Sequence, residues 1–389
     1  MTSTLMLPTR AGQLQPYTLH GAPLPRPRPP HRFDRVAFAA AHVVADACSD
    51  RQPGEAAALD WAATLGVRRH LLDLGLGVAE AMDTAQRGMG LDWPAALELI
   101  RQSLAAAAPA ESDRIVAGIG TDHLAPTAAH DLDAVMGAYL DQLEAVQRLG
   151  GRVVVMASRA LARRARGAED YVRVYDRVLA ACDRPVILHW LGEAFDPELR
   201  GYWDPTSIDA AMETVLAIIH AHAARIDGIK LSLLDAEREV AMRRRLPAGV
   251  RMYTGDDFAY PALIAGDDAG HSDALLGIFG PIAPAASIAL AALAHGDRAT
   301  FDRVLAPTVP LARKVFAAPT RHYKTGVVFL AWLDGLQDHF VMVGGAQSMR
   351  SLPHFAELFR LADAAGLLRE PDLAAARMRR LLALYGIDG

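Results

Sequence analysis

The chain runs to 389 residues, 52% of them hydrophobic and 22% charged, with a formal net charge of -5. That supplies a large core and more length than an ordinary single α/β barrel needs, while the slight acidity and the scattered arginines, apart from Arg243, Arg244 and Arg245, leave no basic footprint for nucleic acid. The two cysteines, Cys48 and Cys182, form no Cys-x-x-Cys pair or disulfide framework, and neither a bilayer-spanning apolar stretch nor a signal peptide is evident, so a soluble cytoplasmic protein without membrane partners is expected.

Residues 1–33 carry Pro8, Pro16, Pro23, Pro25, Pro27, Pro29 and Pro30. Proline lacks a backbone N–H, so this segment reads as an extended arm on the surface or on a neighbouring subunit. From Arg35 apolar blocks alternate with helical stretches. Strands are expected at 36–44, 77–81, 114–119, 152–156, 185–189, 228–231, 250–254 and 274–279. Helices are expected between them at 55–74, 93–106, 131–149, 169–182, 207–223, 236–245, 257–265 and 285–295, with Gly75, Gly150 and Gly296 as left-handed caps. Eight strands each followed by a helix predict a (β/α)8 TIM barrel over residues 34–297. An open doubly wound sheet would use the same alternation, but Gly88-Met89-Gly90 opens no Gly-x-Gly-x-x-Gly phosphate turn. Residues 298–389 read as a C-terminal helical extension, with helices at 298–317, 323–337, 353–364 and 372–384.

In a barrel the chemistry gathers at the carboxyl ends of the strands. In strand order these ends offer His42 and Asp46; Asp83 and Thr84; Thr121, Asp122 and His123; Ser158 and Arg159; His189, Trp190 and Glu193; Lys230 and Ser232; Tyr253, Thr254, Asp256 and Asp257; and Phe279 and Gly280. Lys230 stands out. On a strand, Gly228, Lys230 and Ser232 share one face and Ile229, Leu231 and Leu233 the other, so the lysine points where small and polar groups point. A desolvated ammonium has a lowered pKa, and the free amine attacks carbonyls to form a Schiff base; the plain alternative is a strand-end lysine reaching to water. His42 reads equally as a core histidine, and one of Asp256 and Asp257 as a helix cap.

Gly228-Ile229-Lys230, followed one strand later by Tyr253-Thr254-Gly255-Asp256-Asp257, resembles the dihydrodipicolinate synthase/N-acetylneuraminate lyase superfamily of class I aldolases, and more closely a divergent, poorly characterised bacterial subgroup of it. The likeness covers roughly Arg35 to the C-terminus. It implies a barrel with helices beyond it, a Schiff-base lysine on the sixth strand at Lys230, and a homo-oligomer, dimer or tetramer. Two departures accompany it. The family's second strand ends in a Gly-Thr-Thr-Gly-Glu-like loop that grips a keto-acid carboxylate; here stands Met82-Asp83-Thr84-Ala85-Gln86, and Asp83 would repel such a group. The fifth strand, which ends in a proton-relaying tyrosine in the family, reads Val186-Ile187-Leu188-His189-Trp190. The long segment 191–205, with Arg200, Tyr202 and Trp203, is a candidate lid or substitute relay.

These features predict a lyase, aldolase or dehydratase, that binds a small carbonyl compound derived from a sugar through Lys230, with no cofactor beyond that covalent lysine. His189 is the candidate general acid/base, with Tyr253 or Tyr202 behind it. Asp83 and Thr84 are candidates for binding substrate hydroxyls, and His42, Trp190, Asp256 and Asp257 complete the candidate binding set. A second reading is a metal-dependent sugar isomerase, epimerase or hydrolase, with a divalent ion held by His42, His123, His189 and Glu193. A third is a barrel without catalysis that binds a ligand.

Overall fold

The computed structural model describes residues 4–29, 31–125 and 129–387; Pro30 of the expected arm lies outside the described residues. In chain order the strands are β1 (Thr4–Pro8), β2 (Leu14–Thr18), β3 (Ala37–Ala40), β4 (Gly77–Glu80), β5 (Ile115–Ile119), β6 (Arg152–Val155), β7 (Val186–Leu191), β8 (Ile226–Ser232), β9 (Arg251–Thr254) and β10 (Asp273–Leu276). The helices are α1 (Trp61–Asp73), α2 (Trp93–Ala106), α3 (Leu132–Arg148), α4 (Arg159–Arg164), α5 (Ala168–Ala180), α6 (Ile208–Ala221), α7 (Ala236–Arg243), α8 (Tyr260–Ala265), α9 (Ala283–Ala294), α10 (Arg298–Leu305), α11 (Thr308–Val315), α12 (Tyr323–Leu333), α13 (Leu352–Ala364) and α14 (Pro371–Leu384). Contacts divide the chain into one unit of residues 1–34, 41–76 and 277–389 and another of residues 35–40 and 77–276.

The second unit holds the barrel. All of its strand pairs are parallel, and β3 to β10 close in the order β10-β3-β4-β5-β6-β7-β8-β9, which gives the eight-stranded parallel barrel expected from the βα alternation. Phe38, Val116, Val154, Ile187, Tyr253 and Leu275 fill a common core. Between β7 and β8 the register slips: Val186 pairs with Ile226 and Ile187 with Gly228, so Asp227 is an extra residue at the amino end of β8. From Gly228 onward the register is regular and sets His189 opposite Lys230 and Lys230 opposite Tyr253. Short side chains start the helices between strands: Asp92, Asp131, Ser158, Ser207 and Asp235 each accept a hydrogen bond from an N–H of the first turn. The Ser158 cap starts α4, a helix the apolar periodicity does not announce because it has only six residues. The helix expected at 257–265 begins at Tyr260 instead, because the Asp256 carboxylate is occupied by the N–H groups of Phe258 and Ala259 in a preceding turn.

The first unit contains β1 and β2, α1 and the helices from α9 to α14. Residues 4–18 are not a bare extended arm: β1 and β2 form an antiparallel hairpin in which Pro16 faces Met6 and Pro8 faces Leu14. A ribbon of only two strands leaves each one an outer edge where a missing N–H is tolerated. Tyr17 of β2 and the residues after it bind α13, since the buried Asp363 carboxylate accepts hydrogen bonds from Tyr17 Oη (2.7 Å), His20 N (3.0 Å) and Gly21 N (3.2 Å). The helix expected at 298–317 is two helices, α10 and α11, parted at Pro307, which has no N–H to continue the ladder. Gly75, Gly150 and Gly296 have the positive φ expected of left-handed caps, at 84°, 74° and 75°.

Candidate active site

Lys230 is the fifth residue of β8 and only 6% exposed. Burial pushes its pKa below the ordinary lysine range, and the nearby carboxylates of Asp83 and Asp257 oppose that fall. Beside it on β7, His189 is likewise buried, and its Nε2 lies 3.2 Å from Ser232 Oγ. Burial first, and then the charge of Lys230, hold the imidazole well below its usual pKa, with Asp83 acting the other way. The imidazole is therefore neutral at physiological pH.

The backbone after β9 closes on this group. A Cβ added to Gly255 would lie 2.7 Å from Leu231 O and 3.0 Å from Lys230 Cε, and closer still to Ser232 Oγ. Glycine thus lets the segment carrying Asp256 and Asp257 run directly against the lysine and serine. The structure therefore brings together Lys230, His189, Ser232, Asp83 and Asp257. Such a set can attack a carbonyl, hold a neutral base nearby and receive polar groups; two carboxylates beside the amine disfavour a substrate anion at the same place.

The other residues singled out in the sequence lie apart from this group or are occupied. Tyr253 faces the barrel core opposite Lys230, but its hydroxyl donates to Asp227 Oδ2 (2.6 Å) at the amino end of β8. There Arg251 (2.6 Å) and Arg152 (3.5 Å) also meet the carboxylate. The extra residue in β8 turns Asp227 to that end, and the phenol follows it; its pKa is raised by burial and by Asp227. Trp190 is buried and alternates to the opposite face of β7 from His189. Asp256 is a turn residue, as its two backbone donors show. Thr84 is buried in the turn that follows β4. His42 belongs to the other unit, where its Nε2 lies 2.9 Å from Gln337 Oε1 and burial lowers its pKa to about 4.

The segment 191–205 is anchored. Tyr202 Oη accepts a hydrogen bond from Ser158 N (3.1 Å) and meets Tyr175 Oη at 2.9 Å, while Trp203 is fully buried against Tyr175. That hydroxyl ties the segment to the start of α4 and to α5 rather than standing as a free proton relay. The four histidine and glutamate candidates for a metal do not assemble: His123 Nδ1 accepts from Gln142 Nε2 (2.8 Å), Glu193 pairs with Arg200 (2.6 Å), and His189 faces Ser232. Among the described residues no group of three or more His, Cys, Asp and Glu side chains is placed to hold a metal ion.

Sequence reasoning passes over Arg87. It is buried and spans two strand ends, bonding Asp122, Gln142 and the carbonyls of Ala81 and Gly118. Its guanidinium is thereby committed to the scaffold. The one sequence hint is the spacing from an arginine just past the second strand to an aspartate just past the third.

Solved structures share this fold. Dihydrodipicolinate synthase from Thermotoga maritima aligns with a TM-score of 0.65 at 14% identity, covering 87% of this chain and 100% of that one. The chloride-inhibited dihydrodipicolinate synthase of Acinetobacter baumannii, complexed with pyruvate, gives 0.65 at 16% identity over 86% and 99% of the two chains. YagE, a prophage protein of the dihydrodipicolinic acid synthase family from Escherichia coli K12 in complex with pyruvate, gives 0.61 at 14% identity over 91% and 99%. At such identities the likeness is one of fold alone. No curated protein matches the sequence. A family profile described as "Protein of unknown function (DUF993)" matches residues 5–387, and the chain belongs to that family.

Proposed function

We propose that the protein is a Schiff-base-forming lyase, an aldolase or dehydratase, acting on a neutral, sugar-derived carbonyl compound through Lys230. The observation that carries the reading is the setting of Lys230: a buried amine of lowered pKa, with a neutral imidazole on the neighbouring strand and carboxylates at Asp83 and Asp257. Loss of hydration raises the fraction of free amine, which is the nucleophile. Its nitrogen adds to the substrate carbonyl carbon, the carbonyl oxygen takes up two protons, one from the amine nitrogen and one from a neighbouring acid, and leaves as water, and an iminium remains. That cation accepts the electron pair of the C–C bond broken in an aldol cleavage or, for loss of water, the pair of a C–H bond on the neighbouring carbon, after which the enamine expels the next carbon's hydroxyl together with its bonding pair and a proton. Asp83 and Asp257 suit hydroxyl groups as hydrogen-bond acceptors and disfavour a substrate carboxylate. The fold, shared with aldolase-type barrels, is compatible with this chemistry.

The test is to incubate the protein with dihydroxyacetone, hydroxyacetone and pyruvate, reduce with borohydride, and locate the adduct by peptide mass spectrometry. A stable adduct on Lys230, stronger with the neutral ketones than with pyruvate and absent from Lys230→Ala, is expected. Absence of an adduct with every carbonyl probe rejects the Schiff-base mechanism.

A further inference from the structure

An iminium on Lys230 needs a group that takes a proton from the neighbouring carbon and returns one. The two tyrosines that a sequence reading offers for this are committed elsewhere, Tyr253 to Asp227 and Tyr202 to Ser158 and Tyr175. Ser232 is placed differently. It lies two residues beyond Lys230 on β8, hence on the same face and one step nearer the carboxyl end of the strand. It therefore shares the face on which Lys230 Nζ would hold a substrate. Ser232 is 2% exposed, and among the described residues its side-chain hydrogen-bond partner is His189 Nε2, at 3.2 Å. The Gly255 backbone walls its other side. His189 itself sits in register with Lys230 on the adjacent strand, so lysine, serine and histidine form a triangle carried by two paired strands.

We propose that Ser232 is the catalytic proton-transfer group of this site and that His189 acts through it; the proposal rests on the Schiff-base reading of Lys230. In the forward step the proton on the carbon next to the iminium passes to Ser232 Oγ while the hydroxyl's own proton moves to His189 Nε2, the ring carrying its other proton on Nδ1. The electron pair of the broken C–H bond becomes a C=C bond, and the C=N π pair returns to nitrogen, giving a neutral enamine. The reverse step restores the iminium. No electrons enter or leave, and every proton is held by Ser232, His189 or the substrate.

The experiment uses the full chain with hydroxyacetone in D2O, following loss of the α-proton signals by NMR and, in parallel, trapping the Lys230 adduct with borohydride. The wild-type protein should exchange the α-protons and be trapped. Ser232→Ala should still be trapped at equilibrium, since addition requires the amine alone, yet exchange about 100-fold more slowly or worse. Ser232→Cys, which restores a hydrogen-bearing group, should recover part of the rate. Trapping of Ser232→Ala with exchange within about three-fold of wild type overturns the relay, as does a wild-type protein that is trapped but exchanges nothing. If Ser232→Ala loses the adduct altogether, His189→Gln decides in the same two readouts: the same slowing supports the relay and an unchanged rate overturns it. A wild-type protein that is never trapped removes the Schiff-base reading, and the relay with it, and that outcome is told apart by the missing adduct.

Discussion

Asp83 and Asp257 act on Lys230 in the direction opposite to burial, since a carboxylate stabilises the ammonium and raises its pKa while desolvation lowers it. Removing one negative charge must therefore lower the lysine pKa further. Asp83→Asn should move the pH profile of borohydride trapping toward acid by roughly one pH unit. It should also narrow the preference for dihydroxyacetone over pyruvate, because the repulsion of a substrate carboxylate falls with the same charge. A profile that stays in place or moves toward base would show that Asp83 does not act on the amine. At this scale much of the candidate site is legible in the sequence: the proximity of Lys230, His189, Asp83 and Asp257 follows from counting strands and reading the residues at each carboxyl end. Tyr253 does not follow, because its register is inward as expected but its phenol reaches an Asp227 displaced by an irregularity that no sequence pattern marks. Ser232 is visible in the alternation, yet its importance comes from a distance to a side chain of another strand.

The elements themselves match expectation wherever periodicity and end signals agree. Helix α2 keeps its expected bounds because Asp92 caps it and Pro94 suits its first turn. Departures come where a polar side chain or a proline interrupts a pattern, as at Asp256 and Pro307. Behind β9, such a polar group carries a prediction of its own. Glu239 on α7 is 1% exposed and accepts a hydrogen bond from Ser272 Oγ at 2.7 Å, next to β10. Burial raises its pKa from 4.5 to about 8. The folded state thus holds a proton that the unfolded state releases above pH 4.5. The contribution to stability is complete below that pH, declines as pH rises toward 8 and is gone above it. A tenfold difference in proton affinity between folded and unfolded states is worth about 1.4 kcal/mol, so the loss amounts to a few kcal/mol. Glu239→Gln keeps the shape of the protonated acid without its titration. Denaturant unfolding at pH 5 and pH 9 should show a smaller fall in stability for this variant than for wild type; an equal fall would place the pH dependence elsewhere.

At the level of the whole molecule, eight parallel strands are readable from alternation because each βα unit carries its own pattern, while the choice of a closed ring over an open doubly wound sheet rests on their number and on the lack of a Gly-x-Gly-x-x-Gly turn. The hairpin of β1 and β2 is not, since its prolines argue against strands and its anchorage depends on Asp363, far along the chain. Against His189 in the barrel unit, histidines of lowered pKa are concentrated in the unit that includes this hairpin. His42, His70 and His354 all belong to it, and burial lowers their pKa values from 6.5 to about 4, 4 and 3. Arg68 adds to the fall at His42, Arg369 at His70 and Lys314 at His354. Neutral in the folded state and charged once unfolded, they favour folding fully above pH 6.5. That contribution is lost as pH falls through 4 and, for His354, through 3. The barrel unit holds such an imidazole at His189, set against the opposite tendency at Glu239 and Asp273, whose raised pKa values favour folding toward acid. Acidification from pH 7 to pH 5 should therefore weaken residues 41–76 and 277–387 before the strands from β4 to β10. Peptide-level hydrogen exchange, corrected for the intrinsic pH dependence of the exchange rate, measures this directly. Protection should fall first in α1, α12 and α13, and His354→Phe, which removes one of the three titrations, should reduce the fall in α13. Equal loss of protection in both units, or a first loss in the barrel strands, would show that these histidines do not govern the acid response.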